Sequence, residues 1–289
     1  METALMNSEI IVKAFNQMGC DAISLGSKDF SAGLKNLKNL EKKSEFPFLS
    51  ANITDELGIN LFKPYMIVEK NGIRLGIIGL TSVFSNDEIT VADPLPVLES
   101  LVGEVKAKSD FVVLLFHANE TDVAAVRNSN LEIDLIIQSK STRRSNDGGN
   151  YNIPVYTCGD KGKYIYRFDV NINGGGEIVD LSKFDSQRTS LERELRKKER
   201  KADTATIDNI TPEDQKRFAE IKRLRTQMDQ LNELKNSVKN SIGFEMIEMG
   251  KNITDEPEIL LMVDEGKKHI SNISSPPVIP YNQRSLKQN

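Results

Sequence analysis

Apolar residues recur at helical spacing at Ile10, Ile11, Ala14, Phe15 and Met18, which predicts an amphipathic helix from about Ser8 to Met18, capped by Asn7 or Ser8. The period then changes. Asp21–Leu25 is a short apolar strand ending at Gly26, a helix is expected near Ala32–Lys43, and Pro47–Asn52 is the next strand. Because the alternation opens on a helix, the chain reads as entering a β-α-β pattern partway, with a preceding strand missing. Two apolar runs, Tyr65–Glu69 and Arg74–Leu80, flank Asn71 and Gly72, a pair that accepts positive φ at both central turn positions, so a hairpin is expected. A helix over Pro94–Lys108, a strand over Phe111–Phe116, a helix near Thr121–Asn128 and a strand over Ile133–Ile137 continue the alternation. These strands are unbroken apolar runs, the pattern of strands covered on both faces. Pro154–Cys158 and Tyr164–Ile172, joined through Gly159–Gly162, are expected to close the sheet as an antiparallel pair.

From about Asp185 the pattern changes to Glu, Lys, Arg and Gln around narrow apolar seams. Leu191, Leu195 and Ala202 form a sparse first seam; Phe218, Ile221, Leu224, Met228, Leu231, Leu234 and Val238 form a second. Between them lies Asp203–Thr211, where Thr211 can cap the second helix and Pro212 can occupy its first turn. An antiparallel helical hairpin is expected, with one long solvated helix as the alternative. Phe244–Ile247 then reads as a returning strand, and Thr254–Pro257 opens a final helix. The expected organisation is an α/β domain over 1–184, a helical coiled-coil hairpin over 185–241, a returning strand and helix over 242–273 and an extended tail over 274–289.

The 289 residues, 38% hydrophobic, suffice for one full core plus an appended element. With 38 basic against 42 acidic residues the formal charge is −4, which favours neither nucleic acid nor an anionic membrane. No apolar run approaches the roughly 18 residues a membrane span needs, and Met1–Glu9 is polar, so no targeting signal is visible in the chain. Cys20 and Cys158 lie far apart and outside any zinc or haem spacing, and read as two small buried thiols. His269, among lysines on the final helix, reads as a helix C-terminal cation.

The segments Met18–Phe30, Phe46–Ile53, Phe62–Tyr65, Gly72–Thr81, Val113–His117, Ile133–Ile137 and Gly162–Tyr164, in order over roughly residues 8 to 170, together resemble the calcineurin-like metallophosphoesterase domain of the bacterial 5′-nucleotidase family. Phe244–Lys267 is similar to the segment that closes the domain in bacterial relatives. The resemblance implies an α/β fold: a layered metallophosphoesterase-like β-sandwich flanked by helices, with the hairpin as an inserted antiparallel arm.

In that family two divalent metals (Mn, Zn or Mg) are held by Asp, His and Asn at the C-terminal ends of strands. The opening Asp-x-His and Gly-Asp motifs have no counterpart in this sequence, which starts beyond where both would lie. The family's Gly-Asn-His-Asp aligns with Gly26, Ser27, Lys28 and Asp29, so Ser27 replaces an amide ligand and Lys28 the catalytic histidine, leaving Asp29 as a relic. His117 falls on a metal histidine. The family's Gly-Gly-His-x-His aligns with Gln138–Thr142, which puts Lys140 and Thr142 at the two histidine positions. A lysine ammonium has no lone pair to donate and repels a cation. Restoring upstream motifs would leave Ser27, Lys28, Lys140 and Thr142 unchanged.

The expected function is therefore that of a catalytically degenerate 5′-nucleotidase-like protein, a scaffold or interaction subunit that docks a protein partner through 185–241. Lys28, Lys140, Arg143 and Arg144 are the candidate phosphate-binding residues, for a phosphate or nucleotide held without hydrolysis. No cofactor is expected on this reading. The alternative is an active metal-dependent phosphohydrolase with unusual ligands, for example one metal on His117, Asp29 and Asp160. Family resemblance also implies export to the bacterial periplasm.

Overall fold

The computed structural model describes residues 2–149, 151–202 and 211–274. Helix α1 (Glu2–Gln17) leads into the short strand β1 (Ile23–Ser24), a 3-10 turn over Ser27–Ala32, and helix α2 (Leu34–Lys43). Strands β2 (Phe48–Leu49) and β3 (Ile53–Thr54) follow. Next come β4 (Tyr65–Lys70) and β5 (Ile73–Thr81), joined through Asn71 and Gly72 at φ 53° and 79°. Both central turn residues are left-handed, which matches the twist of the flanking strands and explains why Asn-Gly stands there.

The chain continues through β6 (Thr90–Val91), α3 (Pro94–Lys108), β7 (Phe111–His117), α4 (Glu120–Arg127), β8 (Leu135–Ser139) and β9 (Val155–Tyr156). Asp93 accepts from the Leu95 N–H and Pro94 opens α3, so the helix begins where a donor is satisfied and none is lost. A five-stranded sheet in the order β4-β5-β7-β8-β9 results, antiparallel at β4–β5 and parallel thereafter. One core lies between this sheet and α3 and α4, built on Ile78, Leu80, Leu98, Val105, Leu114 and Ile136, all fully buried. A second core sits where α1 and α2 cover β1 and β2, around Leu25, Phe30, Phe46 and Phe48.

A second sheet, in the order β10-β12-β11, is formed by β10 (Tyr164–Asn171), β11 (Ile178–Asp180) and β12 (Asn240–Glu248). It stacks on the first sheet through an aromatic cluster. The Tyr156 ring lies 4.5 Å from Phe244 and 4.9 Å from Phe168 between centroids, and Tyr166 completes the group. Such ring pairs add about 0.5–1.5 kcal/mol each beyond the area they bury. The Tyr156 hydroxyl donates to buried Asp180, 2.9 Å away, and shares a second hydrogen bond of 2.8 Å with the Ser182 hydroxyl, tying β9 to the start of the next helix.

That helix, α5 (Ser182–Ala202), runs antiparallel to α6 (Pro212–Ser237). Lys235 pairs with Asp185 at the base, and Lys198 with Glu220 further out. Ile221, Leu224 and Leu231 are buried between them. Thr211 caps α6: its hydroxyl accepts from the Asp214 N–H, and Asp214 answers to the Thr211 N–H. Helix α7 (Pro257–Ser274) lies along α1, with a hydrogen bond from Gln17 to Glu258. The reversal between α5 and α6 and the tail fall outside the described residues.

Several expectations need correction. Helix α1 starts at Glu2 rather than near Ser8, so Asn7 and Ser8 are interior to it; its packing on α7 supports the extra turns. The helix expected near Ala32–Lys43 is α2, which starts at Leu34 after the 3-10 turn, and the strand expected over 47–52 is regular only at Phe48 and Leu49, with the Ser50 and Ala51 N–H groups donating to Lys63 O and Gly79 O instead. Pro154–Cys158 and Tyr164–Ile172 do not pair with each other. β9 joins β8 in the first sheet, while β10 finds β12 in the second, because the inward aromatic face of β10 packs on β9 rather than beside it. Phe218 and Leu234, placed in the arm seam by spacing, are exposed. Both cysteines are free and half-buried rather than buried.

Candidate functional site

The carboxyl ends of the parallel strands bring the chemistry together. β5 ends on Thr81, β7 on His117 and β8 on Ser139, and the register sets these three side by side. Gly26, just after β1, lies against the His117 ring: a Cβ there would fall 2.5 Å from Cγ and Cδ2. Its φ of −133° is extended backbone that any residue adopts, so space alone demands glycine.

His117 Nδ1 and Ser139 Oγ share a hydrogen bond at 3.0 Å. Burial, followed by the charges of Lys140 and Lys28, holds the imidazole below its ordinary pKa of 6.5, so it is neutral at pH 7. The two lysines stand on separate segments that meet at this histidine, Lys28 two residues beyond Gly26 and Lys140 directly after Ser139. Lys28 stands on the 3-10 turn. Lys140 follows β8 at φ 68°, a left-handed conformation that costs a non-glycine residue about 1–2 kcal/mol.

Asp29 has a different task. Its Oδ2 accepts from the Gly26 N–H at 2.7 Å and closes the 3-10 turn that carries Lys28. Burial raises its carboxyl above the ordinary range, opposed in part by that hydrogen bond. Arg144 lies elsewhere, its guanidinium 4.4 Å over the Tyr164 ring, and Arg143 is exposed beside it. Asp160 sits on the turn 159–162 and lines an open pocket with Thr142, Arg144, Cys158 and Tyr164, in which neither His117 nor Asp29 takes part. The structure therefore brings Gly26, His117 and Ser139 into contact, with Asp29 and Lys28 on the turn that begins at Gly26 and Lys140 directly after Ser139, and leaves Arg144 and Asp160 at a neighbouring loop.

Sequence reading missed the residues that hold this site in place. Asn52, fully buried, donates to Thr81 O at 2.7 Å and Ala92 O at 2.8 Å and accepts from the Thr81 N–H, so one amide fixes the end of β5. Gln138 donates to Ala118 O at 3.0 Å, holding the turn after β7. The hydroxyls of Ser24 and Ser50, at the same ends of β1 and β2, are buried with no partner among the described residues. A buried Asn inside an apolar stretch was the available signal for the first; nothing in the sequence marks the serines.

The donor set does not fit a metal pair. Among the described residues no three His, Cys, Asp or Glu side chains converge, His117 is engaged with Ser139, Asp29 is engaged with backbone, and the charges of Lys140 and Lys28 act on His117.

The sequence matches no protein-family profile. It is 34% identical over 127 residues to a 5′-nucleotidase of Vibrio cholerae, covering 40% of this chain and 23% of that protein. It is 26% identical over 273 residues to a 5′-nucleotidase of Vibrio vulnificus, covering 74% and 48%. The chain thus spans about half or less of the length of these relatives. Among solved structures, the calcineurin-like phosphoesterase YfkN of Bacillus subtilis superposes with a TM-score of 0.51 at 22% identity, covering 60% of this chain and 65% of that one. The architecture is a mixed α/β fold of the calcineurin-like phosphoesterase kind. In sequence the chain is similar, over part of its length, to bacterial 5′-nucleotidases and to a metallophosphoesterase of Bacillus subtilis.

Proposed function

We propose that this chain uses a phosphohydrolase fold to bind phosphate or a nucleotide phosphate without hydrolysing it, and that it serves as a scaffold or interaction subunit. One observation carries the reading: Lys28 lies two residues beyond Gly26, which abuts the His117 ring, and Lys140 directly follows Ser139, the register partner of His117, so both lysines stand on the segments at the carboxyl ends of the strands where the resemblance puts histidines. Fixed ammonium groups provide the positive charge that a metal pair would provide, and they attract the same oxyanion without generating a hydroxide nucleophile. The neutral His117 and the hydroxyl of Ser139 add hydrogen-bonding capacity beside that charge. The left-handed backbone at Lys140 supports the assignment, since strain of this kind is retained where position matters. Arg144 is a weaker candidate because it lies over the Tyr164 ring at the neighbouring loop rather than at the His117 end of the sheet.

The arm formed by α5 and α6 is the surface proposed for a protein partner, and export to the periplasm is proposed from the family resemblance. No helix among the described residues is long and apolar enough to cross a membrane.

Titration calorimetry with inorganic phosphate and with a nucleoside monophosphate tests the ligand. Binding is expected, weakened about tenfold by Lys28→Ala and by Lys140→Ala. No heat at millimolar ligand overturns the proposal, as does turnover of the monophosphate with Mn, Zn or Mg. Deleting 185–240 tests the arm: a folded remainder that keeps every protein interaction of the full chain contradicts a docking role.

A further inference from the structure

The second sheet ends on an open edge. β10 pairs only with β12, and the register, with the Met249 N–H donating to Lys163 O at 2.7 Å, places the odd-numbered residues of β10 in hydrogen-bonded pairs with β12. The backbone groups of Tyr164, Tyr166, Phe168 and Val170 therefore point to the other side. There, among the described residues, Cys158 Sγ reaches Tyr164 O at 3.5 Å, and the N–H and C=O groups of Tyr166, Phe168 and Val170 take no partner. Eight residues is long for an edge left unpaired. The arm departs from β11, at the opposite side of the sheet.

The solvent face of this strand carries Ile165, 52% exposed, and the charged pair Arg167 and Asp169, each with its side chain 58% exposed. Arg167 already reaches Asp169 at 3.2 Å and Glu245 at 3.0 Å, so its head group is held over the sheet.

We propose that β10 is a dimerisation edge whose occupant is a second copy of this chain, joined antiparallel about a two-fold axis at Phe168. In that register Phe168 pairs with its own copy and Tyr166 with Val170 of the other copy, through the backbone groups that are free in the single chain. Between these pairs, Arg167 of each chain faces Asp169 of the other at the closely spaced, non-hydrogen-bonded positions. Both symmetric contacts are opposite in charge. Moving the axis to Tyr166 or to Val170 would leave Arg167 facing Ile165 or Asn173 instead. The two-fold axis keeps the aromatic faces of both sheets on the same side, so each aromatic cluster stays packed on its own first sheet.

Sedimentation equilibrium of the full chain tests this. A monomer–dimer equilibrium is expected for the natural sequence, weakened roughly tenfold by Arg167→Asp or by Asp169→Arg, each of which sets like charges opposite one another. Mixing the two variants restores association as a heterodimer, and the double exchange in one chain restores the homodimer. Amide exchange at Tyr166, Phe168 and Val170 slows as concentration rises. Both substituted side chains are exposed and lie outside the cores, so the variants fold. A natural chain that stays monomeric at every concentration overturns the proposal, as does a dimer that ignores both charge reversals.

Discussion

Replacing Gly26 with alanine probes the candidate site without touching a charge. The backbone there is extended, so the added methyl meets no conformational objection, but it would stand 2.5 Å from two carbons of the His117 ring, well inside an ordinary contact. The ring must move by an ångström or more. Moving it breaks the hydrogen bond to Ser139, worth about 1 kcal/mol, and overpacks the junction of β1 and β7 at about 1–3 kcal/mol. A loss of about 2–4 kcal/mol follows, which for a chain of this size lowers the melting temperature by about 3–7 °C. Circular dichroism melts measure it. Gly103→Ala in α3 is the control, since its Cβ would meet nothing within 4 Å, and it should gain up to about 1 kcal/mol of helix propensity. If Gly26→Ala melts with the natural protein, the close approach of Gly26 to His117 is wrong, and with it the convergence of β1 on the end of β7.

Other expectations follow from the same geometry. The His117 pKa is lowered on folding, so the unfolded chain binds the proton more readily; this contribution is fully present above pH 6.5 and is lost as pH falls toward the folded value. Lys140→Ala should raise the His117 pKa, read by proton NMR in a chain with only two histidines. Tyr156→Phe removes the hydroxyl that satisfies buried Asp180 and Ser182, and urea unfolding should register a loss of about 1–3 kcal/mol. Thr211→Ala removes the hydroxyl that caps α6 and should cost about 1 kcal/mol, seen as faster amide exchange in the first turn of that helix.

Much of the fold was legible because local chemistry and global packing agree. Asn71 and Gly72 announce the β4–β5 turn, the apolar spacing from Pro94 sets α3, and Thr211 and Pro212 set the start of α6. The pairing of β9 and β10 was misread because a glycine turn between adjacent apolar runs resembles a hairpin. The true partner of β10 comes some seventy residues later in the chain, beyond the arm, and only the inward-facing Tyr166, Phe168 and Phe244 require it. At the site, the lysine positions were visible as letters, but the contact of His117 with Ser139 depends on the register of β7 on β8, and the task of Asp29 depends on a 3-10 turn that periodicity does not reveal. Asn52 was visible too, though only as part of an apolar run.

The central claim, a phosphohydrolase fold that holds phosphate without cleaving it, is tested most directly by phosphorus NMR of a nucleoside monophosphate incubated with the purified chain and either Mg or Zn. A shifted or broadened monophosphate resonance is expected, relaxing back in Lys28→Ala and Lys140→Ala, with no growth of inorganic phosphate. Inorganic phosphate accumulating over many turnovers, or a resonance the protein leaves unperturbed, would contradict it.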